Sequence, residues 1–129
     1  DSYTALMEFQ GRERNSVTGF TPGSIWKVSL DPSHPLAFGY PDFYYTLKQD
    51  DNIYEFMKEG GWNVGVIKKE NAVAGFVGSA LQPKLKDGLL FGSQQMGEGT
   101  VNLLTDNVMF RSFWENGKLM FCNAVFLAF

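Results

Sequence analysis

Histidine and cysteine occur once each in this chain, as His34 and Cys122. A single cysteine excludes an intrachain disulfide. A catalytic zinc site most often needs two or three histidines with a carboxylate, so the usual form cannot be built here. Neither an HExxH nor an HxxE spacing is present. No apolar run approaches the ~18 residues of a membrane span. A charge excess is also missing: 11 Lys and Arg face 14 Asp and Glu, for a net charge of −3. That balance gives no electrostatic case for nucleic acid or an anionic membrane. The densest basic spots, Lys68–Lys69 and Lys84 with Lys86, read as solvated turns. There is no internal repeat, no low-complexity tract and no basic-then-apolar leader. The opening DSYTALMEFQGRERNS reads as that of a processed or excised chain.

Apolar material is abundant. Of 129 residues, 44% are hydrophobic and 16% aromatic, enough for the core of one domain and too short a chain for two. Thr4–Gln10 reads as a helical turn or two, and the glycine- and charge-containing stretch after it as a loop. Ser24–Leu30 alternates as a strand, ended by the two prolines of DPSHP. Asp42–Gln49 is aromatic and β-branched, a second strand. Asp50, Asp51 and Asn52 read as caps of a short helix closed by Gly60 and Gly61. Trp62–Lys69 and Ala72–Gly78 read as two further strands. SALQPKLKDG starts as a helical turn limited by Pro83. LLFGSQQMG and GTVNLLTD form a hairpin turning at Gly97–Gly99. The near-continuous apolar NGKLMFCNAVFLAF fits a buried helix or a buried strand, with Asn116 as a possible helix cap.

The residues that carry chemistry have ordinary structural readings. Cys122, inside LMFCNAVFL, reads as a small core hydrophobe rather than a nucleophile. His34 reads as a loop-orienting hydrogen-bonding group; a hydrolytic pair with Asp31 or Asp51 is the sharper alternative. The acids of QDDN lack the spacing of a calcium loop, and GEGT lacks the lysine and following helix of a phosphate loop. Arg111, between Phe110 and Phe113, is expected to be partly buried and to need a carboxylate or carbonyl; Asp106 and Glu115 are the nearest acids. Tyr40, Phe43, Tyr44 and Tyr45 cluster closely enough to form an aromatic ledge for sugar or peptide.

Four segments together carry a family resemblance. DPSHPLAFGYP, VAGFVG, the GEGTV turn and DNVMFRSFW with its NA near the end resemble the C-terminal region of a group of bacterial zinc carboxypeptidases. In those proteins a carboxypeptidase A-like catalytic domain precedes a domain similar to class I glutamine amidotransferases. The matching positions are Leu30, Asp31, His34, Pro35, Leu36, Phe38 and Gly39, then Gly97, Gly99 and Val101. They continue with Asp106, Asn107, Phe110, Arg111, Phe113, Trp114, Asn123 and Ala124. The resemblance implies a flavodoxin-like α/β fold, β-rich, with a C-terminal helix, of which residues 1–129 form the later part as a single domain. It implies no catalytic residue and no cofactor in this chain. The amidotransferase triad runs Cys, His, acid, whereas His34 here precedes Cys122, and the zinc ligands belong to the upstream peptidase domain. A periplasmic or secreted location and an upstream carboxypeptidase partner follow from the same resemblance. A flavodoxin-like sheet lacking its first strands leaves apolar surface bare, which predicts a homodimer, with Asp1–Pro22 reaching across.

Overall fold

The computed structural model describes residues 3, 6, 8–68, 71–112 and 114–129. Its organising strand is β1 (Gly23–Leu30), whose alternation sends Ser24, Trp26, Val28 and Leu30 inward and Lys27 to solvent. One edge of β1 pairs with β2 (Phe43–Lys48), from Ser24 opposite Lys48 to Ser29 opposite Phe43. The other edge is divided. Near its start β1 pairs with β4 (Ala72–Phe76), and at Ser29 and Leu30 with β3 (Gly61–Ile67). Beyond β3 lie β5 (Gly88–Met96) and β6 (Gly99–Leu104), joined by a two-residue turn. The sheet order is β2-β1-β3-β5-β6, with β4 beside β1.

All of these pairings are antiparallel. The β-rich α/β class and the C-terminal helix are therefore as expected. The parallel, doubly wound sheet implied by a flavodoxin-like fold is not what these strands form. Parallel neighbours need crossovers of a dozen or more residues, usually helical. Here the links within the sheet are tight turns and loops, with no α-helix among their described residues.

The core is centred on β1, β2 and β5. Trp26, Val28, Tyr44, Val64, Leu90, Phe91 and Met120 are buried together with Leu81 and Leu85 from the turn-rich link before β5. Each fully buried Leu or Phe contributes about 1.5–3 kcal/mol. The Tyr44 ring stands edge-on to Phe91 at 5.1 Å and to Tyr40 at 5.7 Å, the T-shaped geometry that ring quadrupoles favour.

Three local expectations need correction. Residues 11–18, read as a loop, belong to helix α1 (Phe9–Thr18), which begins within the stretch read as a helical turn. Their arginines and glutamate tolerate a helix, a single glycine does not stop one, and Pro22 comes only after it ends. Its last carbonyl, Thr18 O, accepts from Ala80 N and Leu81 N, which anchors that end to the link after β4. Residues 50–58, expected to be helical, run instead as an irregular strap over β5. Their polar groups go elsewhere: Leu89 N donates to Tyr54 O, and Asn63 both accepts from Met57 N and donates to Met57 O. Asp50 caps no helix, because its Oδ1 takes Asn52 N and the Lys48 ammonium. Lastly, the terminal run is helix α2 (Glu115–Phe126), and it is only narrowly buried, through Gly117, Met120 and Asn123. Those positions recur every three residues and make a stripe rather than an all-round apolar helix. Cys122 lies off the stripe and is exposed, not a core hydrophobe. Trp114, not Asn116, holds the N-cap position, with no side-chain cap.

Candidate functional site

The residues singled out by sequence converge on two linked features, a clasp and a buried ion pair. The clasp begins where Pro32 and Pro35 end β1. A residue before proline is pushed to extended backbone, and His34 has φ −87° and ψ 138°. That conformation lets its Nδ1 accept from Leu36 N at 3.1 Å, capping a one-turn 3₁₀ helix (Pro35–Ala37) with Pro35 in its first turn. Asp31 steadies the same loop. Its amide donates to Val64 O, and its Oδ1 accepts from the Ser33 hydroxyl and amide. The Ser33 hydroxyl, then the Ser33 amide, hold the Asp31 carboxyl below the usual carboxylate range. Gly39, at φ +81°, supplies the left-handed turn that follows, and a Cβ there would come within 3.0 Å of Leu119 Cδ2.

Helix α2 closes the clasp. Asn123 is 2% exposed, and its Nδ2 donates to Leu36 O at 3.0 Å and to Phe38 O at 2.7 Å. The Tyr40 hydroxyl accepts from Met120 N at 2.8 Å and donates to Asn116 O. Desolvation raises the Tyr40 phenol above its ordinary value, so it remains a neutral donor at physiological pH. Asn123→Ala strands the buried Leu36 carbonyl and the part-buried Phe38 carbonyl and is expected to cost about 2 kcal/mol in urea unfolding. A loss of only a few tenths would show that water replaces the amide.

Burial also depresses the His34 imidazole below its ordinary value, with the Asp31 charge working weakly against this. The folded state thus binds this proton less well than the unfolded chain. Its contribution to stability is complete above the ordinary value of about 6.5. It is lost as pH falls through the depressed folded value, because protonation removes the acceptor for Leu36 N. The expected result is a drop in melting temperature between pH 7 and 5 that His34→Gln abolishes. A pH-independent melting temperature over that range would contradict it. As a capping acceptor, Nδ1 is also not held by a carboxylate in the way a hydrolytic base is. The His34 imidazole forms no hydrogen bond with the carboxylate of Asp31 or Asp51 among the described residues; only the His34 amide donates, to Asp31 O.

The second feature is built from β2 and the turn after β6. Tyr44, Thr46 and Lys48 share the inward register of β2, and Lys48 is 2% exposed. Its Nζ lies 3.1 Å from Asp106 Oδ1 and 3.0 Å from Asp50 Oδ1, while the Thr46 hydroxyl donates to Asp106 Oδ2 at 2.6 Å. Burial pushes the Asp106 carboxyl up, although Lys48 and Thr46 oppose it. Asp50 sits nearer solvent. Burial is its largest single influence, but Lys48 and Asn52 together hold it down.

This pair corrects the reading of Arg111. Asp106 is taken by Lys48, and Glu115 pairs with Lys118. Arg111 is exposed instead, at φ +48°, with its guanidinium over the Phe110 ring at 5.2 Å. Asn107 builds the turn by accepting from Met109 N. Phe113 lies outside the described residues. Burial pushes the Tyr44 phenol up; the Trp114 indole opposes this, although neither atom reaches full hydrogen-bond geometry. Gly97 and Gly99 bound the β5–β6 turn.

The four clustered rings do not make one ledge. Tyr44 is buried against Phe91, and Tyr40 is half-buried under α2. Only Phe43 and Tyr45 share the outer face of β2, 5.6 Å apart, with Lys27 over Phe43 at 4.7 Å. Among the described residues no group of three or more His, Cys, Asp or Glu side chains gathers as a metal site. Among them, too, no helix is long and apolar enough to cross a membrane. Comparison with family models, curated proteins and solved structures found no match. Lys48 and Thr46 were missed by sequence reasoning. A lysine in the inward register of YYTLK was the available signal, since a charge there requires a buried partner.

Proposed function

We propose that this chain is a non-catalytic accessory domain of a secreted or periplasmic zinc metallocarboxypeptidase, and that it acts by packing on the peptidase domain or on a second copy. Within a flavodoxin-like parent it would supply the antiparallel part of the sheet. Zinc would be held by the peptidase domain, with no ligand from this chain. The observation that carries the reading is how the motif residues are used. Asp31, His34 and Asn123 direct their polar groups at the backbone and Ser33 of the 31–38 loop, and Asp106 directs its own at Thr46 and Lys48 of β2, so they build a frame rather than a reactive centre. Outside that frame stand Val125, Phe126, Leu127 and Phe129 of the C-terminal segment, and Val73 and Phe76 of β4, all exposed. Exposed apolar side chains of this size are material for an association surface.

The test reads the coding sequence ahead of Asp1 for HxxE and a later histidine, then co-expresses that segment with this chain. Co-elution of the two, with peptidase activity confined to the upstream segment, is the expected outcome. Independent elution, or peptide hydrolysis by this chain alone, would overturn the proposal.

A further inference from the structure

One face of the β3-β5-β6 ladder, apolar where Phe91 stands opposite Leu104, turns polar towards the β5–β6 turn. Residues directly opposite in antiparallel strands point to the same face. Trp62 stands opposite Ser93, Ser93 opposite Asn102, and Gln95 opposite Thr100. The end of α2 crosses this face, where the Asn102 Nδ2 donates to Ala124 O and Ala128 O. On the other side rise His34 and Pro35, with the His34 and Trp62 rings 6.1 Å apart. Between them lies a cleft of about 210 Å³, lined by His34, Pro35, Trp62, Ser93, Gln95 and Thr100 and bounded by Ala128 and Phe129.

The chemistry of the lining is uniform. Among the described residues no Asp, Glu, Lys or Arg side chain lines it. His34 presents Nε2 as a donor, because its Nδ1 already accepts from Leu36 N. Ser93 and Thr100 offer hydroxyls and Gln95 an amide, each able to donate and accept. Beneath them the Asn102 Oδ1 is buried with no partner among the described residues, an acceptor in want of a donor. Trp62 is half-exposed, so an indole face remains open to a ligand.

We propose that this cleft binds a single ring of a neutral carbohydrate. A sugar ring has an apolar C–H face to lay on the indole and a rim of hydroxyls, each both donor and acceptor, to match the neutral groups opposite. Drug-sized sites run to roughly 300–1,000 Å³, so a smaller cleft suits one ring and not an extended chain. Phosphates and carboxylates find no cation here to offset their desolvation. This site is separate from the outer face of Phe43 and Tyr45, and the inference does not depend on a peptidase partner.

The experiment titrates the intact, ¹⁵N-labelled chain with the methyl glycosides of glucose, galactose, mannose and N-acetylglucosamine, and with glucuronate and adenosine monophosphate. At least one neutral glycoside is expected to shift the Trp62 indole and the Ser93 and Thr100 amides saturably, at about millimolar affinity. Trp62→Ala should weaken binding by roughly tenfold or more, read from the two amides. Gln95→Ala, at an exposed position, should weaken it severalfold with no change in melting temperature. The proposal is overturned by the absence of saturable shifts with every neutral glycoside. Equal affinity for the charged probes, or undiminished binding in both variants, overturns it too. No partner domain enters the assay, so its failure leaves the accessory-domain reading standing and the reverse also holds.

Discussion

Asp106→Ala is expected to lower the unfolding free energy by about 3–5 kcal/mol, measured by urea denaturation at pH 7. The side chains of Lys48 and Asp106 are each 3% exposed and 3.1 Å apart. Removing the carboxylate leaves an ammonium in the interior with, among the described residues, only the half-exposed Asp50 paired to it. The cost is that of an unpaired buried charge, not the net worth of the pair. The same reasoning predicts that Lys48→Met, Asp106→Leu and Thr46→Val combined recover most of the loss. The direction of the Asp106 shift agrees. Its folded carboxyl titrates above the ordinary value, so burial favours the protonated form. Its own contribution is therefore fully favourable only below about pH 3.9 and declines as pH rises through the folded value. Asp31 and Asp50 have the opposite sign, with stability present above the ordinary value and lost on acidification. An Asp106→Ala loss below about 1 kcal/mol would mean that water reaches Lys48.

Gly117→Ala should destabilise the protein by about 3 kcal/mol, although alanine is the better helix former. In an open helix the exchange gains up to ~1 kcal/mol. Here a Cβ would sit 1.9 Å from Val108 O, 2.7 Å from Val108 C and 3.0 Å from the Tyr44 hydroxyl. The first two are backbone, in the turn that Asn107 builds, and cannot swing aside. Gly11→Ala is the paired control. Nothing lies within 4 Å of a Cβ at that position in α1, so the same exchange should be neutral or stabilising by several tenths of a kcal/mol. Thermal melts of both variants, with helix content followed by circular dichroism, decide the matter. A gain in stability at both positions would show that α2 rides farther from the turn than this structure places it.

The strands were legible because their signal is local. The alternation of Trp26, Val28 and Leu30 with Lys27 and Ser29, and the glycines at 97 and 99, place β1 and the β5–β6 hairpin without any tertiary knowledge. The strap at 50–58 was not legible. Its caps and apolar spacing favour a helix in isolation, but Asn63 of β3 and Leu89 of β5 offer hydrogen bonds to Met57 and Tyr54 that hold it against the sheet. Arg111 shows the same limit in electrostatics. Proximity in sequence pointed to Asp106, yet that carboxylate is claimed by Lys48, 58 residues earlier.

By itself, then, the sequence determined the number and place of most strands and the break at Pro32–Pro35. Each follows from residue type and short spacing, which act whatever the rest of the chain does. Only the tertiary structure decided that the sheet is antiparallel and that β1 is shared between β3 and β4. It also decided that Cys122 faces outward and that His34, Trp62 and Ser93 line one cleft. Those outcomes depend on which distant groups compete for the same hydrogen bonds and the same buried volume, and neither periodicity nor propensity records that competition.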